Sequence, residues 1–434
     1  MSEANTATQT TGLTMSKRIR AILGGSAGNL VEWYDWFAYS SFALYFAPAF
    51  FPKGDQTAQL LQSAAIFAVG FLARPFGAWM MGKYADRAGR RAALSASIFL
   101  MCFGSLIIAL TPTYAQIGAA APIILLLARL IQGVSVGGEY GGSATYLSEV
   151  AGKKARGFFS SLQIVTLVAG QLMALFVLLA LQAVLTEEAL KAWGWRIPFF
   201  IGAALAVVVF IIRRGMHETD SFKNAQGAPR ATARMLFTQY PVETWMTVGL
   251  TITSSLSFYT FTTYMQKFLV NTSGFTKPEA TQIMTGALLY FICLVPFLGA
   301  LSDKVGRRPM MLVSFALTAL STYWIMNAIA ATNSTTTAFL LICLSLTLFA
   351  GYSCISAITK AELFPAHIRA LGVALPYSLA NALFGGTAEY AALWFVQKNI
   401  AEGFYFYVSA GATLGFLIAL RMRDTKHTSQ ILED

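Results

Sequence analysis

The sequence contains little charge, little cysteine and very little histidine. Only 12% of its 434 residues are Asp, Glu, Lys or Arg, against about 25% in ordinary soluble domains. Apolar residues make up 56%, which excludes a disordered chain and argues against a soluble enzyme. The four cysteines lie in apolar runs without metal-ligand spacing, and the three histidines are scattered. The sequence therefore predicts no metal site, no disulfide framework and no cofactor.

Long apolar runs fill most of the chain. Each is about 20 residues long, the length of a bilayer-spanning helix, and no room remains for a separate soluble domain. An all-α integral membrane protein is predicted. Residues 1–16 do not resemble a signal peptide, and the first span is expected to be retained because Glu32 and Asp35 interrupt it. The twelve predicted spans are 19–48, 58–82, 92–112, 121–148, 157–184, 195–214, 242–270, 279–301, 310–330, 337–360, 370–397 and 403–421.

Basic residues are distributed unevenly between the two sides of the predicted membrane. With both termini in the cytoplasm, 23 Lys and Arg residues face the cytoplasm and 6 face the opposite side, while Arg74 and Arg129 lie within spans. This asymmetry follows the positive-inside rule. The net charge of +11 is therefore a topology signal, and no nucleic-acid partner is predicted.

A Gly-x3-Asp-x2-Gly-Arg-Arg pattern occurs twice, at 82–91 and 299–308. A Glu followed seven residues later by an Arg also recurs, at 149–156 and 362–369. The first pattern follows spans two and eight, and the second follows spans four and ten. Because each half then has an even number of spans, the halves are parallel repeats. Such repeats are typical of two-lobed transporters with a central binding site.

The doubled loop resembles the signature of the major facilitator superfamily. Other stretches resemble the metabolite:proton symporters of that superfamily, and a further set is most similar to their α-ketoglutarate carriers, although carriers of other acids share parts of it. The resemblance covers essentially the whole chain and implies twelve transmembrane helices in two parallel six-helix repeats around a central cavity. The two sets of stretches are 28–36, 71–77 and 129–141, then 258–272, 360–372 and 381–390.

The repeat divides the chain into five parts. Two six-helix bundles are joined by the longest polar connection, and a short tail precedes and follows them. The predicted parts are a cytoplasmic tail 1–18, an N-terminal bundle 19–214, a cytoplasmic linker 215–241, a C-terminal bundle 242–421 and a cytoplasmic tail 422–434.

Two carboxylates interrupt the first span. A charge at the centre of a span costs about 2.5–3.5 kcal/mol on insertion scales, so it persists when it lines a cavity or is paired. Glu32, Asp35 and Tyr39 share one helical face, whereas Trp33 and Phe37 are expected to point elsewhere. Asp35 and, after it, Glu32 are the candidate proton carriers. The alternative is a structural ion pair.

Two arginines lie within apolar spans of the first bundle. Arg129 and Gln132 share a face of span four, beside glycines at 133, 137 and 141 that indicate close helix packing. The resemblance implies that Arg129 is the superfamily arginine associated with proton coupling. Arg74 lies near mid-membrane in span two. Two guanidinium groups suit a substrate with two carboxylates, because Arg binds carboxylate in a bidentate fork. The substrate-binding candidates of the first half are Arg74, Arg129, Tyr39 and Gln132. Alternatively, each arginine only neutralises a carboxylate of span one.

Polar side chains in spans seven and eleven are the substrate-binding candidates of the second half. They can bind carboxylate or keto oxygens, or they can make only hydrogen bonds between helices. They are Tyr259, Gln266 and Lys267 in span seven and Tyr377, Asn381 and Glu389 in span eleven.

The repeated cytoplasmic loops form a candidate gate. The aspartates can accept hydrogen bonds from helix N-termini of the neighbouring bundle, and the arginines can pair with the glutamates that follow spans four and ten. The resemblance implies that these contacts close the inner gate, whereas the alternative is that the basic loops only set topology. The candidate gate residues are Asp86, Arg90, Glu149, Arg156, Asp303, Arg307, Glu362 and Arg369.

These features together predict a proton-coupled symporter rather than an enzyme. It is expected to import an anionic small molecule, with α-ketoglutarate favoured, by alternating access across a bacterial inner membrane, and to be a monomer. One alternative is a symporter of the same family for citrate, shikimate or a zwitterionic osmolyte such as proline or betaine. Another is a uniporter or exchanger without proton coupling.

Overall fold

The computed structural model describes residues 15–88, 90–136, 155–214 and 232–431, with side chains placed from residue 28 onwards except at 82, 85–91, 94 and 212–214. The described residues form helices joined by short loops, with no strand among them. The helices provide twelve long segments in the predicted order, which are numbered here as spans one to twelve.

The N-terminal half contains spans one to six. Its connections carry two short helices, Tyr114–Ile117 and Glu187–Ala192, and a 3-10 turn at Gly194–Arg196. Pro75 lies inside span two without interrupting it. The six spans are Met15–Phe50, Gln56–Ala88, Arg90–Leu110, Ala120–Val136, Arg156–Val184 and Ile197–Arg214.

The C-terminal half contains spans seven to twelve and follows a short helix, Ala233–Gln239. Spans seven and eleven each contain a π-helical turn, and span ten has a short break. Span seven consists of Pro241–Phe258, the π turn Tyr259–Tyr264 and Met265–Asn271, while span eight is Lys277–Val305 and span nine is Arg307–Ala331. Span ten consists of Thr335–Ser353 and Ser356–Ala361. Span eleven consists of Ala366–Ala380, the π turn Asn381–Gly385 and Ala388–Gln397, and span twelve is Ala401–Arg421.

Length and apolar composition agree with membrane insertion. Among the described residues, seven helices are long and apolar enough to cross a bilayer, and Ser95–Leu110 and Ala120–Val136 are shorter apolar helices. Spans seven and eleven contain π turns and are not among these seven. Large apolar side chains such as Trp324 and Leu320 are exposed on the outside of the bundle, as expected for a surface that contacts lipid.

The helix boundaries have local causes. Thr276 and Glu279 form a capping box at the start of span eight, in which Glu279 Oε2 accepts from the Thr276 N–H at 2.9 Å. Gly306 ends that span with φ 106°, a conformation that strongly favours glycine. Asp55 caps span two by accepting from the Ala58 N–H at 3.1 Å.

Two pairs of spans join the halves. Span five packs against span eight, and span two packs against span eleven. Gln171 of span five donates to the carbonyl oxygen of Thr262 in span seven at 2.9 Å. Within the first half, a Cβ added at Gly133 would overlap the carbonyl oxygen of Gly70. The glycine at 133 therefore permits the close packing of spans two and four.

Candidate substrate and proton site

Trp36 lies between the two arginines of the N-terminal half. The guanidinium carbon of Arg74 is 4.2 Å from the centroid of the Trp36 ring, and that of Arg129 is 3.8 Å from it. The two guanidinium carbons are thus no more than 8.0 Å apart. Each is also held by a second ring, Phe71 for Arg74 at 3.8 Å and Tyr39 for Arg129 at 4.4 Å. Aromatic faces attract cations, so these rings fix both arginines.

Both guanidinium groups retain unused hydrogen-bond donors. Arg129 is fully buried and Arg74 is 5% exposed. Within the described part of the chain, Nε and Nη2 of each arginine have no hydrogen-bond partner. A buried donor without a partner is costly, and a guanidinium group offers donors in a fork that matches a carboxylate. The pair therefore presents buried donors whose arrangement matches that of a carboxylate.

Asp35 is connected to Arg129 both directly and through Gln132. Arg129 Nη1 lies 3.9 Å from Asp35 Oδ2. It also donates to Gln132 Oε1 at 2.8 Å, and Gln132 Nε2 donates to Asp35 Oδ2 at 2.5 Å. Ser105 of span three donates to the other carboxylate oxygen. Asp35 is therefore a buried carboxylate held by one cation and two neutral donors.

The acidic face of span one points into the N-terminal half. Tyr39 donates its hydroxyl to the carbonyl oxygen of Ser63 at 3.0 Å. Glu32 lines a small cavity between spans one, three and six, and it interacts electrostatically with Arg74. The expectation that Trp33 points away from the site was wrong, because its ring centroid lies 5.0 Å from the Arg74 guanidinium carbon.

The C-terminal half faces Arg74 with tyrosines. Tyr259 and Tyr377 are electrostatic neighbours of Arg74. Tyr259 packs edge-on against Phe71, with ring centroids 5.5 Å apart, and its side chain contacts Asn381. Tyr259 and Asn381 each begin a π-helical turn, and such turns often occur at functional sites. The sequence did not indicate these turns, which rotate the side chains away from a regular helical face.

Lys267 and Gln266 lie nearer the outer end of span seven. Lys267 was expected to attract anions there, but it is 1% exposed and its Nζ lies 2.6 Å from Glu389 Oε1 of span eleven. Gln266 donates to Thr281 Oγ1 at 3.2 Å. Beyond them, Lys277 Nζ contacts Glu187 Oε1 at 2.7 Å and so links the two halves at the outer surface.

The candidate gate residues of the second half meet the first half at the end of the bundle that is predicted to face the cytoplasm. Asp303 accepts hydrogen bonds from the backbone N–H groups of Gly157 at 2.8 Å and Phe158 at 3.0 Å, at the start of span five. Arg307 contacts Asp303 at 3.0 Å and Glu362 at 3.8 Å. Three gate candidates lie outside the residues whose side chains are described: Asp86, Arg90 and Glu149.

The C-terminal tail packs on these gate residues instead of extending freely from span twelve. Arg369 donates to the Gln430 carbonyl oxygen at 2.9 Å, and Arg156 donates to the Ile431 carbonyl oxygen at 3.3 Å. Thr425 donates to Glu362 Oε2 at 2.6 Å. The tail therefore joins Arg156 of the first half to residues of the second.

Three important residues were not candidates from sequence. Trp36 carried no signal because it follows Asp35 directly and lies on another face. Ser40 and Ser105 are small polar residues like many others in the spans. Glu389 was a candidate of span eleven, but its pairing with Lys267 was not predicted because the two residues are far apart along the chain.

Two packed helical lobes with buried charges at their interface define a membrane transporter of the alternating-access type. Comparison with known proteins identifies the family. The family model described as "Sugar (and other) transporter" matches residues 21–235 and again residues 215–430. A solved proton:xylose symporter, XylE, bound to 6-bromo-6-deoxy-D-glucose, superimposes with a TM-score of 0.76 at 17% identity, over 96% of this chain and 98% of that one.

Three curated relatives are named as carriers. The alpha-ketoglutarate permease of Escherichia coli is 49% identical over 94% of each chain. A citrate-proton symporter of Salmonella typhi is 36% identical over 84% of this chain and 85% of its own length. The proline/betaine transporter of Salmonella typhimurium is 30% identical over 94% of this chain and 83% of its own length. The chain thus belongs to the sugar (and other) transporter family of the major facilitator superfamily. The predicted fold class, and the prediction of a transporter rather than an enzyme, are confirmed.

Proposed function

We propose that this protein is a proton-coupled symporter that imports a dicarboxylate, α-ketoglutarate, by alternating access. The arrangement of Arg74 and Arg129 around Trp36 carries the proposal. Two buried forks with unused donors, no more than 8.0 Å apart, suit one small molecule with two carboxylates. Tyr259 of the other half lies beside Arg74 and contacts Asn381, and both side chains can hydrogen-bond the keto oxygen or a carboxylate.

Asp35 supplies the proton coupling in this proposal. Without substrate, Arg129 and Gln132 hold Asp35 as a carboxylate. A substrate carboxylate competes for Arg129, so Asp35 loses its cation and takes up a proton from the outer side. The complex with substrate and proton carries less uncompensated buried charge than the complex with substrate alone, and it can therefore change conformation. The substrate drives the switch because it binds the two states with different affinity.

The gate contacts support the alternating cycle. The hydrogen bonds from the start of span five to Asp303 hold the cytoplasmic end closed. The contact between Lys277 and Glu187 holds the outer end closed. Each set must break in turn for one end to open. We further propose that both termini lie in the cytoplasm of a bacterial cell, that the monomer is the working unit and that protons are the only coupling species.

The relatives support an organic acid over an osmolyte. The relative at 49% identity is named for α-ketoglutarate, while those named for citrate and for proline or betaine are 36% and 30% identical. A zwitterionic osmolyte has one carboxylate and therefore offers no partner for the second arginine.

Competition in proteoliposomes tests the substrate. Counterflow of radiolabelled α-ketoglutarate would be measured with unlabelled dicarboxylates, citrate, shikimate and betaine as competitors. Dicarboxylates should compete best, and both Arg74→Gln and Arg129→Gln should lose uptake. Betaine as the strongest competitor, or full uptake by either variant, would contradict the proposal.

A further inference from the structure

A second buried acid–base pair lies in the C-terminal half. Lys267 and Glu389 are in contact at 2.6 Å, with side chains 1% and 5% exposed. Ser40 of span one completes the group, because Lys267 Nζ donates to Ser40 Oγ at 2.8 Å and Ser40 donates to Glu389 Oε2 at 3.1 Å. The pair therefore bridges spans seven and eleven and contacts the opposite half through one hydroxyl.

This pair lies beside the arginine site. Ser40 follows Trp36 by four residues, about 6 Å along a helix. The Tyr39 ring holds the Arg129 guanidinium carbon at 4.4 Å, and Tyr39 interacts electrostatically with both Arg129 and Glu389. The ionisable groups that face Glu389 are Lys267, Tyr39 and Tyr264. A substrate between the arginines is thus one side chain away from the pair.

A buried ion pair is poor evidence of a structural role. Desolvation of two charges often exceeds their attraction, and an apolar replacement can be as stable or more so. Charges within a membrane bundle usually mark the pathway of an ion or a substrate. The contact with Ser40 also has to break when the halves separate, so Glu389 would become accessible in one state of the cycle only.

The formal charges around the site suggest what the pair of Lys267 and Glu389 does. Among the described side chains, the three cations Arg74, Arg129 and Lys267 interact with the three carboxylates Glu32, Asp35 and Glu389, so the formal charges of these three pairs cancel without substrate. A dianion adds two negative charges. One proton on Asp35 removes only one of them, and a proton on a second carboxylate removes the other.

We propose that Glu389 is a second proton carrier and that Lys267 is the substrate ligand released by its protonation. The inference rests on the proposed dicarboxylate symport. Glu389 takes a proton from the outer solution, and Lys267 remains an ammonium group that exchanges Glu389 for a substrate carboxylate. After the substrate leaves, Glu389 releases its proton to the cytoplasm and pairs with Lys267 again. One dianion therefore moves with two protons.

The number of protons per substrate tests this inference. In proteoliposomes with fixed gradients of α-ketoglutarate and protons, the membrane potential of zero net flux gives the ratio. The wild-type protein and Glu389→Asp should give two protons per substrate, and Glu389→Gln should give one. Uptake by the wild type should not respond to membrane potential, whereas a negative interior should slow Glu389→Gln.

Glu402→Gln is the matched control, because Glu402 is an exposed carboxylate at the start of span twelve that accepts a hydrogen bond from Tyr323 at 3.0 Å and has no part in the proposed cycle. It should retain two protons. A ratio of one in the wild type, or of two in Glu389→Gln, would overturn the inference and leave the symport intact. If no proton accompanies the substrate in the wild type, the proposed function itself fails.

A binding measurement keeps the test independent of the variant's folding. Calorimetry of α-ketoglutarate binding to the purified wild-type protein, in buffers with different ionisation enthalpies, counts the protons taken up. Uptake of two protons supports the inference, and uptake of one contradicts it.

Discussion

Trp36 contacts both arginines of the site, at 4.2 and 3.8 Å from its ring centroid. Each cation–π contact is worth about 1 kcal/mol, so Trp36→Leu should raise the KM for substrate about thirtyfold, because 1.4 kcal/mol is tenfold in affinity. Trp36→Phe keeps an aromatic face and should have a smaller effect. Initial rates of uptake in proteoliposomes measure both. An unchanged KM in Trp36→Leu would show that the ring does not position the arginines.

The outer contact between Glu187 and Lys277 should not respond to pH in the physiological range. Hydrogen bonds from Lys191 and Lys277 lower the pKa of Glu187 to about 2. A lowered carboxylate pKa stabilises the contact at higher pH, and this stabilisation is lost only as the pH falls through about 2. The pH profile of uptake between pH 5 and 8 should be the same in Glu187→Gln and the wild type. A shifted profile would assign pH sensitivity to this contact.

At this scale the sequence was informative about charge and uninformative about aromatic residues. Asp35, Arg74 and Arg129 were predicted because each is costly within a span. Trp36 was missed because aromatic residues are common in apolar spans and none of them is costly there. The pairing of Lys267 with Glu389 was also missed, since it depends on how two distant spans pack.

At the scale of the elements, the contact between Asp303 and the start of span five is the part of the proposed cytoplasmic gate that can be tested. Asp303 accepts two backbone hydrogen bonds there. Asp303→Asn removes its charge from the helix N-terminus, which should cost the closed state about 1 kcal/mol and shift the equilibrium about fivefold towards cytoplasmic opening. Labelling of Ser161→Cys, in a background without the native cysteines, by a thiol reagent from the cytoplasm measures the shift.

Asp55→Asn is the control, because Asp55 caps span two at an exposed position within its own half. It should leave the labelling of Ser161→Cys unchanged. If Ser161→Cys is labelled equally with and without Asp303→Asn, Asp303 does not hold the gate closed.

The C-terminal tail gives a second prediction about elements. Gly306 has φ 106°, and an added Cβ would overlap the carboxylate of Asp424, which accepts from the Arg307 N–H at 3.0 Å. Gly274 also has a positive φ, 78°, but an added Cβ there meets nothing within 4 Å. Gly274→Ala should cost about 1 kcal/mol of stability. Gly306→Ala should cost about 1 kcal/mol more, because a hydrogen bond is also lost.

The thermal unfolding midpoint of each purified glycine variant measures this difference. If both variants lower the midpoint equally, the packing of the tail does not contribute to stability.

The long elements could be predicted, but their interruptions could not. Apolar length gave the spans, and the repeated loop gave the equivalence of the halves. The π turns at Tyr259–Tyr264 and Asn381–Gly385 arise from packing between helices rather than from a local signal.

For the whole molecule, membrane potential limits how a dianion can be imported. Moving one charge through 100 mV costs about 2.3 kcal/mol, so a dianion entering a negative interior is opposed by about 4.6 kcal/mol. A uniporter would have to work against this potential. Protons on buried carboxylates offset the charge, which makes proton coupling the central claim about this protein.

Accumulation of radiolabelled α-ketoglutarate in proteoliposomes, with and without an inward proton gradient, tests that claim most directly. The wild-type protein should accumulate substrate above its external concentration only with the gradient. Asp35→Asn should accumulate much less substrate than the wild type, because only Glu389 remains to carry a proton, while it still exchanges substrate across the membrane. Accumulation by Asp35→Asn equal to that of the wild type, or equal wild-type uptake without a gradient, would contradict the account.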